Sequence, residues 1–207
     1  MNTIKRYHNL YLLISAIIIG TAVITGLFTS GHLDLTSLRT FTYLSNLVLS
    51  IGFILMIVLR KSHPKLRTYI SITVLLAITV TGIVYNLVLV PLTDSEPFYY
   101  GFRNFITHGL SFVLALVNYF VFEVKGRFTV KHVAVAMLFP AVYWLIFVSI
   151  GGIIRYYPYF FMNPPQIGWT MVFVWFAILL SIFAGLGILL VKYDQCMKVR
   201  CTPIGLN

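Results

Sequence analysis

The sequence predicts an all-α fold: a polytopic transmembrane bundle of six helices that forms one integral membrane domain over residues 1–207. Three observations carry this. Hydrophobic residues make up 59% of the chain and charged residues 10%, with a mean hydropathy of +0.93, more apolar surface than a water-soluble globule can hide. Apolar runs of about 20 residues, long enough to cross a bilayer as helices, fall at about 10–28, 41–59, 69–90, 105–122, 133–150 and 168–191. Twelve of the 15 Lys and Arg residues lie at the end of the bundle that holds the N-terminus, and only Arg39, Arg103 and Arg155 lie at the other. With short loops this imbalance places the basic end in the cytoplasm, so the expectation is a multi-pass cell-membrane protein with both termini inside.

The first span follows Lys5 and Arg6 and resembles a signal peptide at its start. It is longer than a typical signal core and no small-x-small site follows before Thr29, so it is expected to be retained. The second span opens with Phe41 and Thr42 and ends at the basic segment 60–67, where Pro64 marks a turn. The third carries Thr79, Gly82 and Asn86 toward its outer end and is followed by the Pro- and aromatic-containing loop 91–101. The fourth holds His108 and Ser111. The fifth contains Pro140, which is expected to kink it. Segment 153–165 is rich in Tyr, Phe and Pro and reads first as an aromatic belt at headgroup level, second as a lid. The sixth begins near Trp169 and Thr170 and leads into a basic tail with Cys196 and Cys201, whose spacing fits neither a CxxC pair nor a zinc knuckle, so both are expected as free thiols.

Of all His, Lys, Arg, Asp and Glu residues, only His108 falls within these six runs. An ionisable group at membrane depth is costly and normally faces a bundle interior or a wet cavity, which makes His108 the leading functional candidate. Once helix directions are assigned, depths can be compared. Thr42, Ser45 and Asn46 share a face of span two, and Asn86, His108 and Trp169 with Thr170 lie at a similar level of three other spans. Four helices are therefore expected to offer polar groups to one outer slice, where mutual pairing is cheaper than facing lipid. A Thr hydroxyl near a neutral His can act as nucleophile and base, which assigns catalytic roles to Thr42 and His108. Asn46 and Asn86 are candidates for an oxyanion or orienting role. Ser, Thr and Asn also serve simply as glue between helices, with Thr often bonded to the carbonyl four residues back.

Other chemistries fit the sequence less well. The positive charge is dispersed over short loops and a tail, unlike a nucleic-acid surface. There is no HExxH motif and no GxSxG elbow. His8, His32, His63 and His132 lie in loops or at span edges, and Asp34, Asp94, Glu96, Glu123 and Asp194 fall outside the apolar runs, leaving His108 without partners for a metal. Neither a metal nor another cofactor is expected.

Two ordered sets of residues carry a family resemblance. Phe41-Thr42-Tyr43-Leu44-Ser45-Asn46-Leu47 resembles the F-x-x-x-(x)-N-L opening of the second helix in the androgen-induced gene / FAR-17a-like membrane hydrolase family and its bacterial branch. His108, an apolar helix, Glu123 and Gly126-Arg127 resemble the bacterial pattern of His, acidic residue and Gly-Arg turn. Pro140 with Tyr143, and Tyr157-Pro158-Tyr159-Phe160, are similar to further signatures of the family, so the resemblance spans about 40–165. Animal members hydrolyse fatty acid esters of hydroxy fatty acids with an intramembrane Thr and a His. The resemblance places the His on His108 and the Thr on Thr42. Thr42 stands four residues before Asn46 where the animal form has three, so Thr40 or Tyr43 can also take that place. The implied function is hydrolysis of a lipid ester near the outer leaflet, with membrane lipids as partners. The alternative is a non-enzymatic protein that binds or moves a small lipid or ion.

Overall fold

The computed structural model describes residues 3–29, 32–93, 95–97 and 99–201, with side chains from Arg6 to Lys198. Asp94 and the side chains of Lys5, Arg200 and Cys201, all named above, lie outside the described residues. Six helices long and apolar enough to cross a membrane are present: α1 (Thr3–Gly26), α2 (Phe41–Ser62), α3 (Pro64–Leu92), α4 (Phe102–Phe122), α5 (Val130–Ile154) and α6 (Pro164–Cys201). Each extends beyond its apolar run at one end or both, because polar helix ends continue the backbone hydrogen bonding outside the hydrocarbon. α1 does so only at its start; it stops at Gly26, after which Phe28–Thr29 pairs briefly with His32–Leu33. The six crossings return both chain ends to one end of the bundle, here called the terminal end; the opposite end is the distal end.

α3 is the axis of the bundle. Of its most apolar stretch 61% is buried, against 11% for α6, and it packs against α2, α4, α5 and α6. Leu12 and Ile19 of α1, Leu49 and Phe53 of α2, and Ile72 and Leu76 of α3 are closed from the surface to within 2% and form the central core. Close helix contact depends on small residues, as is usual where lipid offers no hydrophobic drive to associate. A Cβ on Gly187 of α6 would run into Val133 of α5, and one on Gly52 would sit 2.8 Å from Val74. Pro140 lies within α5 without interrupting it. Gly168 has a φ of 78°, a conformation other L-residues rarely adopt, and joins the first turn of α6 to the rest.

Three stretches of these helices are π-helical: Tyr85–Leu89 in α3, and Ile106–Leu110 and Asn118–Phe122 in α4. Each is closed by an i→i+5 bond, from Val90, Ser111 and Glu123 N–H to the carbonyls of Tyr85, Ile106 and Asn118. Pro91, one residue beyond the Val90 that closes the first, cannot donate a backbone N–H. Such turns insert an extra residue and rotate the side chains around them.

The terminal end departs most from the sequence expectation. Segment 60–67 is not a basic loop: only His63 separates α2 from α3, with Pro64 at the first helical position where its missing N–H costs nothing. Arg67 is consequently buried in α3, donating to both Glu123 carboxylate oxygens at 2.5 and 3.0 Å and to the Met56 carbonyl at 3.1 Å. His8 is also buried; it donates to Asn118 Oδ1 at 2.9 Å, accepts from Arg60 at 2.7 Å and stacks on Phe122. Asp194 is fully buried, accepting from the Tyr119 hydroxyl and the Phe128 amide at 3.0 and 2.9 Å. His8 and Asp194, read as lying at a span edge and outside the apolar runs, thus belong to the packed interior, because α1 and α6 run past their apolar segments; Glu123, the non-helical residue just after α4, turns its carboxylate into the same cluster.

At the distal end, a short 3₁₀ turn over Leu35–Arg39 leads into α2. Asp34 caps it; hydrogen bonds from the Thr36 hydroxyl and amide hold the Asp34 carboxyl below the usual carboxylate range. Segment 153–165 does not lie flat as an aromatic belt. Phe161 and Met162 are 2% and 0% exposed and pack against Trp144, Tyr143 and Val172, plugging the bundle between α5 and α6.

Removing one member of a buried ion pair leaves the other charge uncompensated. Arg67→Ala is expected to lower stability by about 3–5 kcal/mol, read as a fall in thermal unfolding temperature in detergent. The double variant Arg67→Met, Glu123→Leu is expected to recover most of the loss.

Candidate functional site

The start of α2 is set by Thr40. Its hydroxyl donates to the Ser37 carbonyl at 2.9 Å and accepts from the Tyr43 amide at 3.4 Å, the arrangement of a helix N-cap. This commits Thr40 to the helix end. Thr42, two residues on, is differently placed. Thr25, Thr68, Thr79, Thr81, Thr93 and Thr107 donate to the carbonyl four residues back; Thr42 stands in the first turn of α2, with no helical carbonyl four residues behind it. Its side chain instead neighbours the Tyr159 phenol and lines two cavities.

The first cavity, of about 290 Å³, is polar for this depth. Thr40, Thr42, Tyr43, Tyr85, His108 and Tyr159 are among its lining residues, with Thr93 and Ser95 toward the distal surface. Thr42 and His108 are both 7% exposed, and the two sequence-predicted catalytic residues, on different helices, line the same cavity. His108 lies in the π-helical turn of α4, and its ring stacks on that of Tyr85, in the π-helical turn of α3, with centroids 3.3 Å apart and planes 15° from parallel. His108 Nδ1 is buried and has no hydrogen-bond partner among the described residues. Tyr85 in turn is fixed by its hydroxyl, which donates to the Glu96 carbonyl and accepts from Asn104 at 3.1 Å.

Tyr159 comes from the distal plug. Its hydroxyl accepts the Phe41 amide hydrogen at 2.9 Å, satisfying a donor in the first turn of α2. Burial pushes the Tyr159 phenol up, the neighbouring Thr42 hydroxyl pulling less strongly the other way. It therefore keeps a proton beside Thr42 at neutral pH. Tyr143 holds the plug's other flank by donating to the Arg39 carbonyl at 2.8 Å.

The second cavity, about 70 Å³, is almost wholly apolar and reaches from Thr42, Tyr85 and Tyr159 toward the middle of the bundle between α3, α5 and α6. An unfilled space of this volume costs about 2 kcal/mol at ~24 cal/mol per Å³.

The other predicted site residues fall differently. Asn46 is fully buried, and its NH₂ group donates at 2.9 Å to the Thr42 and the Thr107 carbonyls, linking α2 to α4 directly beneath the cavity. Both hydrogens are used, so Asn46 braces α2 against α4 and has none left for an oxyanion. Its Oδ1 is buried without a partner. Ser45 pairs with Thr81 at 2.9 Å and ties α2 to α3. Asn86 lines neither cavity; its amide returns to the Gly82 carbonyl at 2.8 Å. The π-helical turn brings its neighbour Tyr85 to the site instead. Ser111 is buried and bonds back to Thr107. Trp169 and Thr170 are exposed and take no part, because the chain from 159 to 162 occupies the mouth between α5 and α6. Tyr85 and Tyr159 are the residues that sequence reasoning missed; Tyr159 stood in the Tyr-Pro-Tyr-Phe signature but was read as part of a surface belt.

No family model, curated protein or solved structure matches the chain.

Asn46→Leu removes the side-chain tie from α2 to the Thr107 carbonyl of α4, which keeps only the local bond from the Ser111 hydroxyl. The expected result is a loss of about 1–2 kcal/mol in detergent unfolding, with the relative position of Thr42 and His108 disturbed. Asn86→Leu is expected to cost less than half of that.

Proposed function

We propose that this multi-pass membrane protein is an intramembrane lipid ester hydrolase with Thr42 as nucleophile and His108 as general base. The observation that carries the reading is that Thr42 lines the same cavity as His108, whose buried Nδ1 has no hydrogen-bond partner among the described residues. An unpaired ring nitrogen at such depth is costly, and a substrate or a relay water would satisfy it. No hydrogen bond joins the two side chains among the described residues, but 290 Å³ gives room for a water between them. The ordered resemblance of Thr42, Asn46, His108 and Glu123 to the androgen-induced gene family's bacterial branch supports the same assignment.

In the proposed reaction the Thr42 oxygen attacks the acyl carbonyl as its proton passes to His108, directly or through water. The Tyr159 hydroxyl, protonated beside Thr42, is suited to donate to the developing oxyanion. Collapse of the tetrahedral species breaks the ester C–O bond, and His108 returns the proton to the departing alcohol. Water then attacks the acyl-threonine ester, with His108 taking its proton and giving it to Thr42 as the free acid leaves. Catalysis sits at the distal end, which we assign to the outer leaflet, with both termini cytoplasmic; the 12:3 distribution of Lys and Arg supports this orientation.

A fluorophosphonate probe is expected to label the purified protein, with labelling lost in Thr42→Ala and in His108→Ala and retained in Thr42→Ser. Undiminished labelling of Thr42→Ala, with the probe mapped to another residue, overturns the nucleophile assignment. For orientation, Cys196 is exposed near the terminal end. It is expected to react with a membrane-impermeant maleimide only after cells are permeabilised; reaction in intact cells reverses the topology.

A further inference from the structure

At the distal end a larger opening lies between the end of α1 and the start of α4. This cleft, of about 740 Å³, is lined by Thr25 and Phe28, by Tyr43 of α2 and by residues 100–104. It is open to the surroundings, since Phe28, Tyr100 and Phe102 are each more than half exposed. Its polar groups are what set it apart. Arg103 makes no side-chain hydrogen bond or ion pair among the described residues, and no carboxylate is found among those that line the cleft. Tyr43 places its ring and hydroxyl against Gly26 at the end of α1, and that hydroxyl likewise has no hydrogen-bond partner among the described residues. The Thr25 hydroxyl, by contrast, is committed to the Thr21 and Ala22 carbonyls.

The cleft shares a wall with the candidate active site. Tyr43 also lines the cavity of Thr42 and His108. Asn104 donates to the Tyr85 hydroxyl at 3.1 Å, and the Tyr85 ring lies on that of His108.

We infer that this cleft binds the phosphate head of an anionic phospholipid, with Arg103 as its charge partner and the Tyr43 hydroxyl as a second donor. A guanidinium stays protonated and presents a planar fork that matches two phosphate oxygens. With no carboxylate in the lining to neutralise it, an incoming anion meets an uncompensated charge. The volume falls within the range of small-molecule sites. Exposed aromatic rings at helix ends lie where headgroups lie in a bilayer, which favours a head whose chains remain in lipid over a water-soluble phosphate. Binding stands on the cleft alone; that the bound lipid also presents its ester to Thr42 rests on the hydrolase reading.

Native mass spectrometry of the full-length protein in detergent, titrated with phosphatidylglycerol or phosphatidylcholine, tests the site. Both heads carry a phosphate, and in the second the choline cation cancels its charge. Wild type is expected to bind phosphatidylglycerol about tenfold more tightly, the scale of one charge-assisted pair. Arg103→Gln is expected to abolish that preference, Arg103→Lys to keep part of it, and Tyr43→Phe to weaken phosphatidylglycerol binding about threefold. Arg155 is an exposed distal arginine that lines none of these cavities, and Arg155→Gln is expected to change nothing. A preference that survives Arg103→Gln, or that falls equally in Arg155→Gln, overturns the inference, because the attraction is then to surface charge at large. Displacement of phosphatidylglycerol by equimolar oleate makes the cleft a carboxylate site, and displacement by inorganic phosphate at the same concentration makes it a site for the free ion. Either result overturns the phospholipid assignment. Labelling by the fluorophosphonate probe in the same preparations separates the two readings. Thr42-dependent labelling without a headgroup preference leaves the hydrolase and removes the lipid site; a preference lost in Arg103→Gln without labelling does the reverse.

Discussion

A polar group in hydrocarbon has no water to fall back on, and this one constraint organises the bundle. Each buried hydroxyl, amide and charge must find its partner on a neighbouring helix or on its own backbone. The result is two polar layers with an aliphatic core of Leu49, Phe53, Ile72 and Leu76 between them. In the terminal layer Arg67 and Glu123 join α3 to the end of α4, and His8, Asn118, Tyr119 and Asp194 extend the network to α1 and α6. In the distal layer Asn46 joins α2 to α4 and Ser45 joins α2 to α3. Helix positions are thereby set at both ends by hydrogen bonds and in the middle by close packing.

Around Arg67 and Asp194 the carboxylates are engaged by protein groups, as a structural cluster requires. The distal layer instead surrounds a cavity, and there His108 Nδ1 and Asn46 Oδ1 are buried without a partner among the described residues. A rigid frame about a polar space is the arrangement expected of a binding or reacting site, since preorganised neighbours do not have to rearrange when a ligand arrives. The π-helical turns contribute to this frame. By inserting a residue in α3 and in α4 they place the Tyr85 and His108 rings face to face, where regular helices would present other positions.

Those turns also explain which parts of the site could be anticipated. His108 was legible because a lone ionisable residue in a 20-residue apolar run has few neutral explanations, and its depth followed from counting along the helix. Thr42 and Asn46 were legible as one face of α2, which is regular there. Asn86 was misplaced because the count assumed 3.6 residues per turn across a stretch that is wound more widely. Trp169 and Thr170 were placed at the correct level but on an exposed surface, and the space assigned to them is filled by Tyr159, Phe161 and Met162. The Arg67 cluster was hidden for a related reason. Charges beyond the apolar runs look like loop residues in sequence, whereas the helices continue through them.

The sequence by itself determined the number and order of the crossings, since hydropathy over about 20 residues is a property of each segment independent of its neighbours. It likewise determined which residue types stand at which depth. Only the tertiary structure decided which side chains meet. Side-chain direction depends on local winding, and contact depends on how helices distant in sequence are packed, neither of which a single segment encodes. Thus Asn46 became a bracket between helices, Tyr85 displaced Asn86, a tyrosine from the distal plug came to lie beside Thr42, and an apolar chamber opened beneath the candidate nucleophile.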